Sequence, residues 1–168
     1  MCSSDLGLMR AGIGCTLKHY PGLGRATGDT HLVAPHLAGV AEDDFAPFVR
    51  VPALTPRRPW IMAGHVTIDA DDPHHPASAS AAAIGRLRRS GFDGIVVTDD
   101  ATMVSYQANL AENAVASLAA GVDLVLVTYD EDLVWEVLAA LLEGRAAGRL
   151  SDAVLAESDR RLRREATR

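Results

Sequence analysis

Four short runs, 14–20, 60–67, 94–99 and 122–127, are largely apolar, and each ends in polar residues before the chain takes up helical spacing. No other feature restricts the fold as much. A strand that lacks strict in-and-out alternation is one covered on both faces, and such strands alternating with helices build βα units on a parallel sheet. The helices are legible from their stripes and stops. Residues 80–90 place Ile84 and Leu87 on one side and stop at Gly91, and 107–120 carry Leu110, Ala114 and Leu118 and stop at Gly121. Residues 132–142 set Val134, Val137, Leu138 and Leu141 on one stripe. A highly charged helix over 151–164 is expected on the surface, and Phe45, Phe48 and Val49 point to a short amphipathic helix within 35–49.

The count is therefore four βα units and a terminal helix. A complete eight-fold barrel takes about 250 residues, and this chain has 168. The fold expected is α/β, a partial (β/α)8 TIM-barrel type. Half a barrel fits the count better than a doubly wound sheet, which periodicity alone leaves open. No Pro, Gly or Ser linker divides the chain, so residues 11–168 read as one unit. The opening Cys2-Ser3-Ser4-Asp5-Leu6 reads like the translated end of a common sequencing adapter, and residues 1–10 are expected to be non-native or disordered.

Charge narrows the partners. A net charge of −6 argues against a nucleic acid or an anionic membrane, whose phosphates draw on clustered Lys and Arg, and favours a neutral small molecule. No apolar run reaches the ~18 residues of a membrane span. Cys2 and Cys15 cannot furnish a disulfide framework or a four-ligand zinc site. Asp71-Asp72-Pro73-His74-His75-Pro76 has metal-like residue types, but its prolines and adjacent histidines read as a solvated loop. Neither a metal nor a cofactor is expected.

In parallel α/β folds chemistry gathers at the C-terminal ends of strands. After the first run come Lys18, the only lysine of the chain, then His19, and a glycine-rich loop carrying Asp29 and His31, close enough for the carboxylate to orient the imidazole. The third run ends in Asp99-Asp100. A carboxylate directly after a buried strand is costly unless paired or used. Asp100 is read as the cap of the following helix, which leaves Asp99 as the candidate nucleophile.

Taken together, Lys18-His19-Tyr20-Pro21-Gly22-x-Gly24, Asp29-x-His31, Ile61-Met62-x-x-His65-Val66 and Gly91-Phe92-Asp93-Gly94-x-Val96-x-Thr98-Asp99-Asp100-x-x-Met103 resemble glycoside hydrolase family 3, most nearly its bacterial β-N-acetylglucosaminidases. The resemblance runs from about residue 11 to residue 150. It implies a retaining β-glycosidase on a barrel, acting on β-linked N-acetylglucosamine such as that of peptidoglycan fragments. It assigns Asp99 as nucleophile, His31 as acid/base and Asp29 as the group orienting it, and it gives Lys18 and His19 to the sugar. On an ideal strand Lys18 and His19 would face opposite ways, so both reach a sugar only if the strand has ended there. His65 matches a histidine of the pattern, where it either lines the pocket or braces Asp99.

The chemistry is sound beside the resemblance. Retention needs a carboxylate on one side of the anomeric carbon and a proton donor near the leaving oxygen. An imidazole titrating near neutrality can first give and later take that proton, and Lys18 near Asp99 would keep the nucleophile ionised. Two departures stand out. Leu23 occupies a place where the family commonly has histidine, and the barrel half that precedes the Lys-His motif in the family, with its Asp and Arg for the sugar hydroxyls, is not in this sequence. The isolated chain is accordingly expected to be inactive or nearly so. Two alternatives stand beside the glycosidase: a non-catalytic half-barrel that associates with a complementary half or with itself through open sheet edges, and an unrelated α/β enzyme whose loop mimics the motif.

Overall fold

A computed structural model describes residues 3–26, 35–55 and 58–167, with side chains from Gly7 onward. In chain order the elements are α1 (Ser3–Arg10), β1 (Thr16–Tyr20), β2 (His36–Leu37), α2 (Glu42–Leu54), β3 (Trp60–Ala63), β4 (Thr67–Ile68), β5 (Asp72–Pro76), α3 (Ala81–Arg89), β6 (Val96–Asp100), α4 (Val104–Gln107), α5 (Leu110–Ala120), β7 (Leu124–Leu126), α6 (Asp132–Ala146) and α7 (Asp152–Ala166). No helix of the described residues is long and apolar enough to cross a membrane.

The four expected strands form one parallel sheet in the order β1-β3-β6-β7, so strands that follow each other along the chain lie side by side with helices between them. That order is an arc of a β/α barrel, since a doubly wound sheet would reverse its strand order partway. Ile61, Val96 and Val122 at the sheet meet Ala83, Ile84 and Leu87 of α3, all fully buried. Tyr20 closes this core at the end of β1, with its ring edge-on to Phe45 and Phe48 of α2 and its hydroxyl donating to the Ala83 carbonyl at 2.6 Å. A second cluster, Tyr106, Leu110, Ala114 and Val137, joins α4, α5 and α6.

Helix limits follow local chemistry. Ser80 caps α3 by accepting from the Ala83 amide, and Gly91 and Gly121 take left-handed φ of 90° and 103° after α3 and α5. The apolar residues of 35–49 become the longer helix α2, whose first turn carries Glu42, Asp43 and Asp44 at the favourable end of the helix dipole.

Three segments depart from the sequence reading. Run 60–67 is not one strand: β3 stops at Ala63, and β4 belongs to a separate small sheet ordered β2-β4-β5. The break falls at Gly64, whose amide donates to the Tyr20 carbonyl at 2.9 Å and whose Cα lies so near β1 that a Cβ would stand 3.3 Å from His19 Cβ. Residues 72–76, read as a solvated loop, instead pair antiparallel with β4, and the Asp72 carboxylate accepts the His74 and His75 amides. The terminal helix is not confined to the surface, because Arg161 of α7 is buried.

Arg161 is drawn inward by Asp123. Just ahead of β7, the fully buried Asp123 carboxylate accepts from Arg161 Nε at 2.8 Å, Arg88 Nη2 at 2.9 Å and the Val96 amide at 2.9 Å. The Asp123 amide in turn donates to the Val96 carbonyl at 2.8 Å. Arg88 also reaches the carbonyls of Gly94 and Gly121. One carboxylate thus fixes the starts of β6 and β7 to α3 and α7. Removing one member of a buried ion cluster strands its partners without solvent, at a cost of about 3–5 kcal/mol. Asp123→Ala is expected to lower the urea midpoint by a stability loss of that size, and a loss below about 1 kcal/mol would show that the cluster does not anchor the fold.

Candidate active site

The C-terminal strand ends meet at one rim. Lys18 and Met62 from β1 and β3, Asp99 and Asp100 from β6, and Thr128 and Tyr129 after β7 line a cleft of about 410 Å³. A larger hollow of about 510 Å³ lies at the other end of the strands beside Phe92 and the two arginines, Arg88 and Arg161, that bond to Asp123.

Lys18 and His19 both lie within β1, so the strand has not ended before them. Its pairing with β3 slips between Leu17 and Tyr20, and this irregularity re-aims the side chains. Lys18 is exposed in the cleft, while His19 Nε2 stands 3.6 Å from Asp99 Oδ2. No ion pair joins Lys18 and Asp99 among the described residues, although both line the cleft. Asp99 Oδ1 accepts the Asp100 amide at 2.9 Å, which leaves Oδ2 as the oxygen directed towards His19. Asp29 and His31 lie outside the described residues.

Asp100 does not cap a helix, since the cap position of α4 is Met103. Its carboxylate accepts the Thr102 amide at 3.0 Å, the Thr102 hydroxyl at 2.7 Å and the Thr128 hydroxyl, which ties the end of β6 to the residue following β7. Burial opposes ionisation of Asp100, but the hydroxyls of Thr128 and Thr102 and their amides outweigh it and hold the carboxyl below the usual carboxylate range. Thr102, two residues after an aspartate, is the kind of local turn partner a sequence can disclose. Thr128, 28 residues away, carries no such signal.

His65 is buried at 3% exposure beneath this rim, with its ring on that of Tyr106 at a centroid distance of 4.4 Å. Nε2 lies 3.1 Å from the Asp100 carbonyl oxygen and Nδ1 2.7 Å from Ser78 Oγ. A carbonyl can only accept, so Nε2 bears the proton and Nδ1 accepts from the serine hydroxyl. Burial pushes the imidazole down to about 4 against the opposing pull of the Asp99 and Asp100 charges.

That depression carries a sign. The unfolded chain binds a proton at His65 near pH 6.5 whereas the folded chain resists until about pH 4, so stability is lost as pH falls through this window. The expected loss is at most about 3 kcal/mol. Urea unfolding between pH 7 and 4.5 should fall less steeply for His65→Gln than for the parent, and parallel curves would contradict the assignment.

Residues 6–164 match the model of the glycosyl hydrolase family 3 N terminal domain. A beta-hexosaminidase of Idiomarina loihiensis is 33% identical over 142 residues, covering 80% of this chain and 42% of that protein. Beta-hexosaminidase LpqI of Mycobacterium tuberculosis is 34% identical over 157 residues, covering 86% of this chain and 39% of its own length. A solved glycoside hydrolase family 3 beta-N-acetylglucosaminidase from Paenibacillus sp. superposes with a TM-score of 0.84 at 33% identity, over 93% of this chain and 31% of that one. The chain spans about two fifths of the length of the curated relatives it matches. With the family model running through nearly all of its βα units, the chain belongs to glycosyl hydrolase family 3, within that family's N-terminal barrel domain.

Proposed function

We propose that this chain carries the nucleophile-bearing part of a retaining β-N-acetylglucosaminidase that acts on β-linked N-acetylglucosamine, as in peptidoglycan fragments. The observation that carries the reading is the meeting of Asp99 and Lys18 at one cleft, with Asp99 Oδ2 turned towards His19 at 3.6 Å. Relatives named beta-hexosaminidase and beta-N-acetylglucosaminidase support the same substrate class.

In this reaction Asp99 Oδ2 attacks the anomeric carbon while His31, oriented by Asp29, gives its proton to the departing glycosidic oxygen. The bond to the leaving sugar breaks as the ester to Asp99 forms. Water then attacks the same carbon, His31 takes the water proton, and Asp99 leaves as carboxylate. Lys18 and His19 hold the sugar hydroxyls.

Four parallel strands are half of those in a closed barrel. Among the described residues β1 and β7 each have one edge without a neighbouring strand, so the opposite wall of the cleft must come from elsewhere. Activity is therefore expected when four further βα units complete the ring, with the isolated chain nearly inactive. Using aryl N-acetyl-β-glucosaminides and a completed barrel, Asp99→Asn is expected to lose several orders of magnitude in turnover with the fold intact. His31→Ala is expected to spare activated aryl leaving groups and to suppress poor ones, because only the latter need protonation. Equal losses on both would remove the acid role from His31.

A second reading rests on α6, where Trp135 is 70% and Leu142 60% exposed, and on β7, which among the described residues has one edge without a neighbouring strand. Such a surface favours association with a complementary half-barrel or a second copy. Size-exclusion chromatography is expected to give a species larger than 17.8 kDa that Trp135→Glu shifts towards monomer. A monomer that hydrolyses aryl glycosides at ordinary enzyme rates would overturn both this reading and the expected inactivity.

A further inference from the structure

Of the residues at the strand ends, His65 has no task in the reaction above, and at 3% exposure it cannot touch a sugar. Both of its ring nitrogens are nevertheless committed, Nδ1 to the Ser78 hydroxyl and Nε2–H to the Asp100 carbonyl. Tyr106 stacks on one face of the ring and fixes its plane, and the Tyr106 hydroxyl is itself held by Ser117 at 2.9 Å. A buried polar ring with every site satisfied is a rigid element, because any rotation breaks a bond that no water can replace.

The other end of the contact is as fully fixed. Asp100 is bound at its carbonyl by His65 and by the Met103 amide at 3.0 Å, at its carboxylate by Thr102 and Thr128, and its amide donates to Asp99 Oδ1 at 2.9 Å. The sequence of bonds runs from Ser78 through His65 and the Asp100 backbone to the Asp99 carboxylate. We propose that His65 is a positioning residue for the nucleophile: by anchoring the Asp100 carbonyl it keeps the Asp100 amide on Asp99 Oδ1, so that Oδ2 alone is presented to the cleft. This inference rests on the reading of Asp99 as nucleophile and assigns His65 to the residue behind it instead of to the sugar.

The choice of imidazole has a physical reason. A buried Lys or Arg at this place would add a full positive charge beneath Asp99, which would bind the carboxylate more tightly and blunt it as a nucleophile. A neutral imidazole supplies a directed N–H and no net charge. The hydroxyl of Ser78 selects the tautomer, since with Nδ1 accepting, the proton must reside on Nε2, where the carbonyl needs it.

The test uses nuclear magnetic resonance on this chain, with labelled histidine and aspartate side chains, in the parent, His65→Leu and His65→Gln. Gln can offer an N–H to the Asp100 carbonyl and an oxygen to Ser78, whereas Leu fills the space without either. The parent is expected to show a neutral Nε2–H tautomer at His65. In His65→Leu the titration midpoint of Asp99 is expected to rise by about half to one pH unit, the net worth of one hydrogen bond to the ionised form, and in His65→Gln to return towards the parent. Should His65→Leu not fold, Ser78→Ala supplies the same reading, with loss of the single tautomer and an upward shift at Asp99. An Nδ1–H tautomer in the parent, an Asp99 midpoint unmoved in the variants, or equal shifts in Leu and Gln would overturn the proposal. Both signals are read whether or not the chain cleaves a glycoside, so inactivity leaves this inference standing, and its failure leaves the glycosidase reading intact.

Discussion

The Asp123 carboxylate is a negative charge buried where solvent cannot reach it, and the molecule is arranged to satisfy it. Two guanidinium groups from α3 and α7 and one strand amide converge on its two oxygens. Because its own amide also bonds to the Val96 carbonyl, Asp123 fixes where β6 begins relative to β7. From Val96 the extended chain has only two more residues, Val97 and Thr98, before Asp99, so the register set at one end of β6 determines where the candidate nucleophile emerges at the other. The charged end of the sheet supplies the rigidity, and the opposite end is left with the chemistry, as barrel enzymes divide these duties.

At that opposite end a second aspartate plays a related part with different partners. Asp123 is neutralised by arginines, whereas Asp100 is held by hydroxyls, amides and a neutral imidazole. The difference matters for Asp99 beside it. Full cations packed into the same buried rim would hold the Asp99 carboxylate by charge, while neutral donors leave its charge available to the cleft. Lys18 then supplies positive charge from the open side, where solvent moderates it.

How much could be read from the chain alone varied with the range of the interaction. Strands 94–99 and 122–127 and the stops at Gly91 and Gly121 depend on neighbours along the chain, and the structure has them within a few residues. Run 60–67 misled because Val66, Thr67 and Ile68 continue an apolar pattern past Gly64, and only the close approach of β1 reveals why the strand must end there. The pairing of Asp123 with Arg161 spans 38 residues, and a charged helix with four arginines, two of them exposed and Arg164 half-buried against Asp93, offers no periodic sign of which one is buried. At the candidate site, Lys18 and Asp99 were legible from strand ends and family likeness. The burial of His65 was not, because a histidine after an apolar strand has the same local signature whether it faces a ligand or a carbonyl.

The apolar pattern of α6 carries one further consequence for the molecule as a whole. Val137 is buried and Leu133 and Leu141 are partly buried against α5, where Gly144 allows an approach so close that a Cβ would lie 2.9 Å from Val115. Yet Val134, Trp135, Leu138 and Leu142 remain exposed on the same helix. A surface helix of an isolated domain needs one apolar stripe, and a helix apolar on both sides is one that is covered on both. The composition of α6 therefore argues, independently of the open edge of β7, that this surface is built to be packed against.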